Sequence, residues 1–196
     1  MKTIAIIPAK GHSNRLKNKN RYMLLGKPLI SYTIEQAKKS KFIDEIYVST
    51  EDKHIKKISL DLGVKVIDRP QELVEDNFDN DFFGKQRVAE HALKTLQDKI
   101  ECVCLLQANS PQITVEKIDE AIAKLFDPNK RVWQCISINE QTLFTDGAIR
   151  VFKRRCIEDI GLDMYLSVVF TDYVDVHTIE DIYELEEIMK NESNNL

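Results

Sequence analysis

The sequence predicts a single α/β domain of the Rossmann-like kind, in which a mostly parallel mixed sheet is sandwiched by helices. Short apolar runs alternate with helical patterns along the chain, which is typical of strands joined by crossover helices. The first run, residues 3–9, is nearly all apolar, as expected for a strand that is covered on both faces. A length of 196 residues suits one domain with a sizeable core.

Each element follows from a local pattern. Pro28 suits the first turn of a helix, and Gly63 is a natural helix stop. We predict strands at residues 3–9, 45–50, 64–67, 102–106, 133–138 and 148–152, and a short edge strand at 168–170. We predict helices near residues 27–40, 52–62, 82–96, 115–126 and 179–189, and a loop from 69 to 81. Residues 1–190 form one domain in this prediction, and residues 191–196 form a polar tail.

Composition excludes several classes of protein. The net charge of −4 provides no general basic field for nucleic acid, so any anion site must be built locally. No apolar run is long enough to span a bilayer, and the apolar stretch at the N-terminus is too short for a secretory signal. The four cysteines have no C-x-x-C spacing and no paired histidines, which argues against zinc. We therefore expect a cytoplasmic protein with reduced thiols.

The segment after the first strand is the strongest candidate for a binding site. Residues 7–20 carry an apolar strand into a loop with one glycine, one serine and several cations. In open α/β sheets ligands bind beyond the carboxyl ends of strands, and a triphosphate needs backbone N–H groups and cations. Gly11 and Ser13 can present the N–H groups. The residues that could supply the charge are Lys10, Arg15, Lys17 and Lys19. The alternative is a solvated basic loop, and composition alone leaves both open.

Three later segments also follow predicted strands. Arg69 could reach a base or a phosphate, or form a salt bridge in a turn. Residues 107–111 follow a buried strand, where either a ligand loop or a plain turn fits. Asp175 could bind Mg²⁺ through oxygen, whereas Thr178 with Asp181 forms a capping box that is structural.

In their order along the chain, these segments resemble the cytidylyltransferases that make CMP-activated acidic sugars, such as sialic, legionaminic, pseudaminic and Kdo sugars. The opening I-P-A-K-G-H-S followed by Lys19-Asn20 is similar to that family's I-P-A-R-G-G-S…K-N loop. Further matches are G-K-P-L-I-S-Y-T-I at 26–34, V-S-T-E-D at 48–52, R-P-Q-E-L at 69–73 and L-L-Q-A-N-S-P at 105–111. The agreement covers roughly residues 3 to 126 and resumes at Gly147-Ala-Ile and Asp175-Val-His-Thr.

The resemblance implies a fold of the nucleotide-diphospho-sugar transferase type and transfer of CMP from CTP to an acidic sugar of the nonulosonate or Kdo type, with release of pyrophosphate. This reaction serves surface-glycan biosynthesis, with Mg²⁺ or Mn²⁺ as cofactor and with CTP and a small acidic acceptor as partners. The implied catalytic residues are Lys10, Lys19 and Asp175. The substrate-binding residues are predicted to be Gly11, Ser13, Asn20, Arg69, Gln107 and Asn109. Arg15 and Lys17 are expected to be surface charges or to make auxiliary contacts.

Two departures from the family pattern open alternatives. The family's C-terminal Asp-x-Asp is Asp175-Val-His177 here, so His177 replaces a carboxylate as a metal ligand, although imidazole suits Mg²⁺ poorly. The segment between residues 139 and 147 lacks the extension that lines the sugar pocket and crosses to the second subunit of a homodimer. The acceptor could therefore be a smaller molecule with a phosphate or phosphonate group. A further alternative is that the chain is a partner protein that binds nucleotide but has weakened catalysis.

Overall fold

The computed structural model describes residues 2–13, 15–75, 82–97, 99–158 and 165–194. The strands are β1 (Thr3–Pro8), β2 (Met23–Leu24), β3 (Lys27–Pro28), β4 (Glu45–Thr50), β5 (Lys65–Asp68), β6 (Cys102–Leu106), β7 (Gln134–Asn139), β8 (Thr145–Lys153) and β9 (Leu166–Thr171). The helices are α1 (Leu29–Lys39), α2 (Lys53–Asp61), α3 (Glu72–Glu75), α4 (Phe82–Leu96), α5 (Val115–Leu125), α6 (Arg155–Glu158) and α7 (Ile179–Asn194). None of the helices in these ranges is long and apolar enough to cross a membrane.

Seven strands form the main sheet in the order β5-β4-β1-β6-β8-β7-β9. β5, β4, β1 and β6 are mutually parallel, and β8 is antiparallel to both of its neighbours. β9 lies parallel to β7 at one edge. Because β8 runs in the opposite direction, its first residues lie at the same edge of the sheet as the carboxyl end of β6. The predicted fold class, including the edge strand near residues 168–170, is confirmed.

Helices cover both faces of the sheet, as the apolar character of β1 requires. Ala5 and Ile7 belong to the core that α1 and α5 cover, whereas Ile4 and Ile6 belong to the core beneath α4. All four side chains are completely buried. Since burying one such aliphatic side chain stabilises the fold by roughly 1.5–3 kcal/mol, β1 anchors both layers.

Three helices begin with the caps that their sequences specify. The Asp52 side chain accepts hydrogen bonds from two backbone N–H groups at the start of α2, and the Thr114 hydroxyl accepts from the Lys117 N–H at the start of α5. At α7, the Thr178 hydroxyl accepts from the Asp181 N–H at 3.4 Å, and Asp181 accepts from the Thr178 N–H at 2.7 Å. The predicted capping box is therefore confirmed.

Some predicted boundaries were wrong. Helix α7 continues to Asn194, so residues 191–194 are helical and not a polar tail. Lys27–Pro28 is not the first turn of a helix but pairs with Met23–Leu24 in a small hairpin, and α1 begins at Leu29. The predicted loop from residue 69 contains the short helix α3, and its residues 76–81 lie outside the described residues.

The cysteines of the sheet are core residues. Cys102, Cys104 and Cys135 are completely buried, and Cys156 is half-buried. Burial raises the pKa of the Cys102 thiol to about 12 and that of Cys135 to about 11. The uncharged thiol is therefore the stable form of these side chains, which suits packing and not nucleophilic chemistry.

Candidate active site

A cavity of about 320 Å³ opens at the edge of the sheet where β1 and β6 end. A volume of this size is at the small end of the range for ligand sites. Its lining combines the loop after β1, the ends of β6 and β7, the start of β8 and the segment before α7. The lining residues are Pro8, Lys10, Ser13, Arg15, Lys19, Asn20, Lys85, Leu105, Leu106, Gln107, Asn109, Ile136, Thr145, Asp146, Gly147, Ile149, Arg150, Asp175 and His177.

The loop after β1 reaches the cavity through Lys10, Ser13 and Lys19, as the sequence predicts. Asn20 holds the loop closed, because its side-chain amide donates to the Lys10 carbonyl at 2.9 Å and is itself buried. Asn18 adopts a left-handed conformation just before the turn at Lys19–Arg21, which asparagine tolerates well. The loop is therefore held by its own hydrogen bonds and lines the cavity.

The segment before α7 joins this loop from the far end of the chain. Lys19 Nζ donates to the Val176 carbonyl at 2.9 Å, and the Asn109 amide donates to the same carbonyl at 3.0 Å. Asn109 also donates to one oxygen of the Asp175 carboxylate. His177 Nε2 lies 2.8 Å from the other carboxylate oxygen. These contacts fix the Asp175 carboxylate at the cavity wall beside the predicted loop.

The two backbone N–H groups at the start of α7 hold this segment in place. Asp181 Oδ2 accepts from the His177 N–H at 2.6 Å as well as from Thr178. Burial acts to raise the pKa of Asp181, but these N–H donors outweigh it and lower the pKa. The capping carboxylate therefore stays ionised and keeps His177 at the mouth of the cavity.

Gln107 and Gly147 form a close contact on the β6–β8 side. The Gln107 side-chain amide donates to the Asp146 carbonyl at 3.2 Å, and its backbone carbonyl accepts from the Thr33 hydroxyl at 2.8 Å. A Cβ atom at Gly147 would lie 2.5 Å from Gln107 Nε2, and the φ of Gly147 is +66°. Glycine is therefore required here for two reasons, the backbone conformation and the close approach of the Gln107 side chain.

Two predicted site residues lie outside the lining of this cavity. The Gly11 N–H donates to Glu51 Oε1 at 2.7 Å, and a Cβ at Gly11 would lie 2.6 Å from the Cβ of Asp52. Arg69 is buried at the end of β5. Burial is the main cause that lowers the pKa of His91 on α4; the Glu72 charge opposes this shift, and the Arg69 charge adds to it. A contact of either residue with nucleotide stays a prediction.

Sequence reasoning missed several lining residues. Lys85 lies in α4 and Arg150 lies in β8, where a cation gives no local signal of a site. Asp146 accepts from the Ser137 and Thr171 hydroxyls and from the Ala148 N–H at 2.9 Å. The exposed Arg15 also lines the cavity, whereas Lys17 does not.

The cavity is positively charged although the chain is acidic. Among its described lining residues five are Lys or Arg and two are Asp, a formal excess of three positive charges. An anionic ligand therefore suits the cavity, as the net charge of −4 required any anion site to be local.

No group of three or more His, Cys, Asp and Glu residues that could hold a metal occurs in the described part of the chain. Mg²⁺ is nevertheless often bound by one or two carboxylates together with substrate phosphates. Asp175 fits that mode, whereas Asp146, the second lining carboxylate, accepts hydrogen bonds from Ser137, Ala148 and Thr171.

A mostly parallel sheet with a cation-lined cavity beyond its strand ends defines an α/β protein whose cavity suits an anionic ligand. The family model for cytidylyltransferases matches residues 4–195, and the chain belongs to this family.

Two cytidylyltransferases are similar to about two thirds of the chain. The pseudaminic acid cytidylyltransferase of Campylobacter jejuni subsp. jejuni serotype O:2 is 36% identical over 128 residues, which cover 63% of this chain and 53% of that protein. The N-acylneuraminate cytidylyltransferase of Escherichia coli O18:K1:H7 is 38% identical over 135 residues, which cover 69% of this chain and 30% of that protein. The matches thus span about half or less of these relatives.

The fold is shared with a solved structure over nearly its full length. The structure of CMP:2-keto-3-deoxy-manno-octonic acid synthetase complexed with CTP superposes with a TM-score of 0.75, covering 98% of this chain and 100% of that chain. The sequence identity of 15% is low, so this likeness concerns the fold.

Proposed function

We propose that the protein transfers CMP from CTP to an acidic sugar of the nonulosonate or Kdo type, with release of pyrophosphate, in surface-glycan biosynthesis. The observation that carries this proposal is the convergence of Lys10, Ser13 and Lys19 with Asp175 on one cation-lined cavity. Family membership and the activities of the two relatives support the choice of CTP and of an acidic sugar.

In this proposal an oxygen of the acceptor attacks the α-phosphorus of CTP in line with the departing pyrophosphate. Charge builds on the phosphorus oxygens and on the leaving group, and fixed cations stabilise it. Lys19 is held in place by the Val176 carbonyl, and Lys10 by the loop that Asn20 closes. Gln107, on the β6–β8 side, belongs to the acceptor pocket, and Asn109 keeps the Asp175 carboxylate in position.

Asp175 would hold Mg²⁺ or Mn²⁺ together with phosphate oxygens of CTP. The metal would supply further positive charge at the phosphates. His177 is a poor ligand for such a hard ion, and its contact with Asp175 suits it to orienting that carboxylate.

A smaller acceptor with a phosphate or phosphonate group is the second candidate. The connection between β7 and β8 supports it, because residues 140–144 form only a tight turn. In this turn the Leu143 N–H donates to the Asn139 carbonyl at 2.8 Å, and Asn139 N–H donates to the Phe144 carbonyl at 2.9 Å. So short a connection contributes little wall to a pocket for a nine-carbon sugar.

One assay tests the proposal and separates the two acceptors. The protein is incubated with each nucleoside triphosphate, with Mg²⁺ or Mn²⁺, and with a panel of sugar acids and small phosphorylated compounds, and pyrophosphate is measured. We expect release only with CTP and a sugar acid. Release confined to the phosphorylated compounds supports the second candidate, and tight CTP binding without release in any mixture contradicts both.

A further inference from the structure

Arg150 is a charged side chain within the apolar run of β8, residues 148–152. It lies between Ile149 and Val151 in β8 and opposite Leu105 of β6 and Ile136 of β7. Only 8% of its surface is exposed, and it lines the cavity. Burying a guanidinium on the face of a sheet costs desolvation free energy, so an arginine at this position needs a physical explanation.

The guanidinium of Arg150 is positioned by neutral side chains from two layers. The Gln134 side-chain oxygen accepts from Nε at 3.4 Å and from Nη2 at 3.3 Å, and the Gln86 oxygen of α4 accepts from Nη2 at 3.4 Å. The Phe152 ring lies 5.4 Å from its central carbon. These contacts orient the planar group within the cavity wall.

A second cation lies on the same side of the cavity. Lys85 precedes Gln86 in α4, and its Nζ lies 3.2 Å from the place where a Cβ of Gly147 would be. Gln107 Nε2 approaches the same place from β6, at 2.5 Å. Gly147 is three residues before Arg150 on β8, so Lys85, Gln107 and Arg150 all lie around one end of this strand.

We propose that Arg150 and Lys85 form an oxyanion subsite for the acceptor, separate from the cations of the loop after β1. An arginine fork matches a carboxylate or a phosphate group with two parallel hydrogen bonds, and a lysine adds a point charge. The subsite makes a negatively charged group on the acceptor a requirement for its use. This inference rests on the proposed function and adds the residues that select the acceptor.

The test compares Arg150→Gln and Lys85→Gln with the wild-type protein and with Arg131→Gln. Arg131 is exposed, lies outside the cavity lining and contacts the Tyr165 ring, so its substitution removes the same charge elsewhere. The probes are 3-deoxy-manno-octulosonic acid and its methyl ester, and ribose 5-phosphate and ribose. Pyrophosphate release gives KM for each acceptor and for CTP, and calorimetry gives Kd for each acceptor in the presence of CTP.

We expect Arg150→Gln to raise KM and Kd for the charged acceptor by about 10- to 100-fold, because the charge-assisted hydrogen bonds of the guanidinium are lost and the glutamine amide replaces them only in part. KM for CTP stays within about twofold, which also reports that the variant is folded, and Arg131→Gln matches the wild type. The wild type rejects the neutral member of each pair, and Arg150→Gln no longer distinguishes the pair. Preference for the sugar acid or for the phosphate identifies the source of the oxyanion.

The outcomes separate this inference from the proposed function. Pyrophosphate release by the wild type, with unchanged acceptor constants in Arg150→Gln, overturns the subsite and leaves the function standing. If acceptor binding depends on Arg150 but no pyrophosphate is released from CTP, the proposed function is overturned and the subsite is supported. Equal use of charged and neutral acceptors by the wild type overturns the subsite.

Discussion

Replacing Gly147 with alanine perturbs one defined contact at the start of β8. The φ of +66° costs a residue with a side chain about 1–2 kcal/mol. The new Cβ would lie 2.5 Å from Gln107 Nε2, so the flexible amide must move and give up its hydrogen bond to the Asp146 carbonyl, which costs about 1 kcal/mol more. We expect Gly147→Ala to lower the free energy of unfolding by about 2–3 kcal/mol in total.

Gly26→Ala is the matched control for this substitution. Gly26 has a φ of +82° and no atom within 4 Å of its would-be Cβ, so only the backbone cost of about 1–2 kcal/mol applies. Urea unfolding followed by circular dichroism measures both free energies. Because Gln107 and Lys85 are displaced only in Gly147→Ala, that variant alone should also bind the acceptor more weakly. Equal destabilisation of the two variants, with unchanged acceptor binding, would refute the close-approach argument.

Three further predictions concern other parts of the molecule. Lys19→Ala should lower turnover with CTP by about 10²–10³, or 2.7–4 kcal/mol, whereas Lys17→Ala, an exposed loop cation outside the cavity, should not; near-normal turnover of Lys19→Ala would show that its charge is not used. The pKa of Glu45 is lowered from 4.5 to about 2, chiefly by its hydrogen bond from Lys65, so its contribution to stability is full above about pH 4.5 and is lost as the pH falls toward 2. Glu45→Gln should therefore flatten the dependence of the urea midpoint on pH in that window, and an unchanged slope would contradict this. In the native protein at pH 8, a thiol reagent should label Cys156 quickly and the three buried strand cysteines only after unfolding; rapid labelling of a second thiol would contradict the burial argument.

Local patterns predicted most of the fold. Three elements have the predicted bounds, namely the strands at 45–50 and 102–106 and the helix at 82–96. Each of them is one continuous strand or helix pattern in the sequence, with residues that favour turns or loops on either side. The end of α7 was predicted too early, since a polar C-terminal stretch carries no apolar stripe to mark it as helix. The hairpin of β2 and β3 was missed because its strands have only two residues each.

The candidate site was predicted in part, through its motifs. Lys10, Ser13, Lys19, Asn20, Gln107, Asn109 and Asp175 were predicted from the family resemblance, and the structure brings these residues to one cavity. Arg150 and Lys85 were not predicted, because each is one cation within an ordinary strand or helix pattern. Pairing between residues that are far apart in sequence decides which end of β8 meets β6 and which side of α4 faces β8.

The sequence by itself determined the order of the main strands and helices along the chain, the apolar character of β1, the loop that follows it and the cap of α7. These features depend on neighbouring residues and on period, which are local properties of a chain. Only the tertiary structure decided that Val176 receives Lys19 and Asn109, and that an antiparallel β8 places Gly147 and Arg150 beside Gln107 and α4. The physical reason is that strand direction and register are set by long-range pairing and packing, which no window of sequence contains.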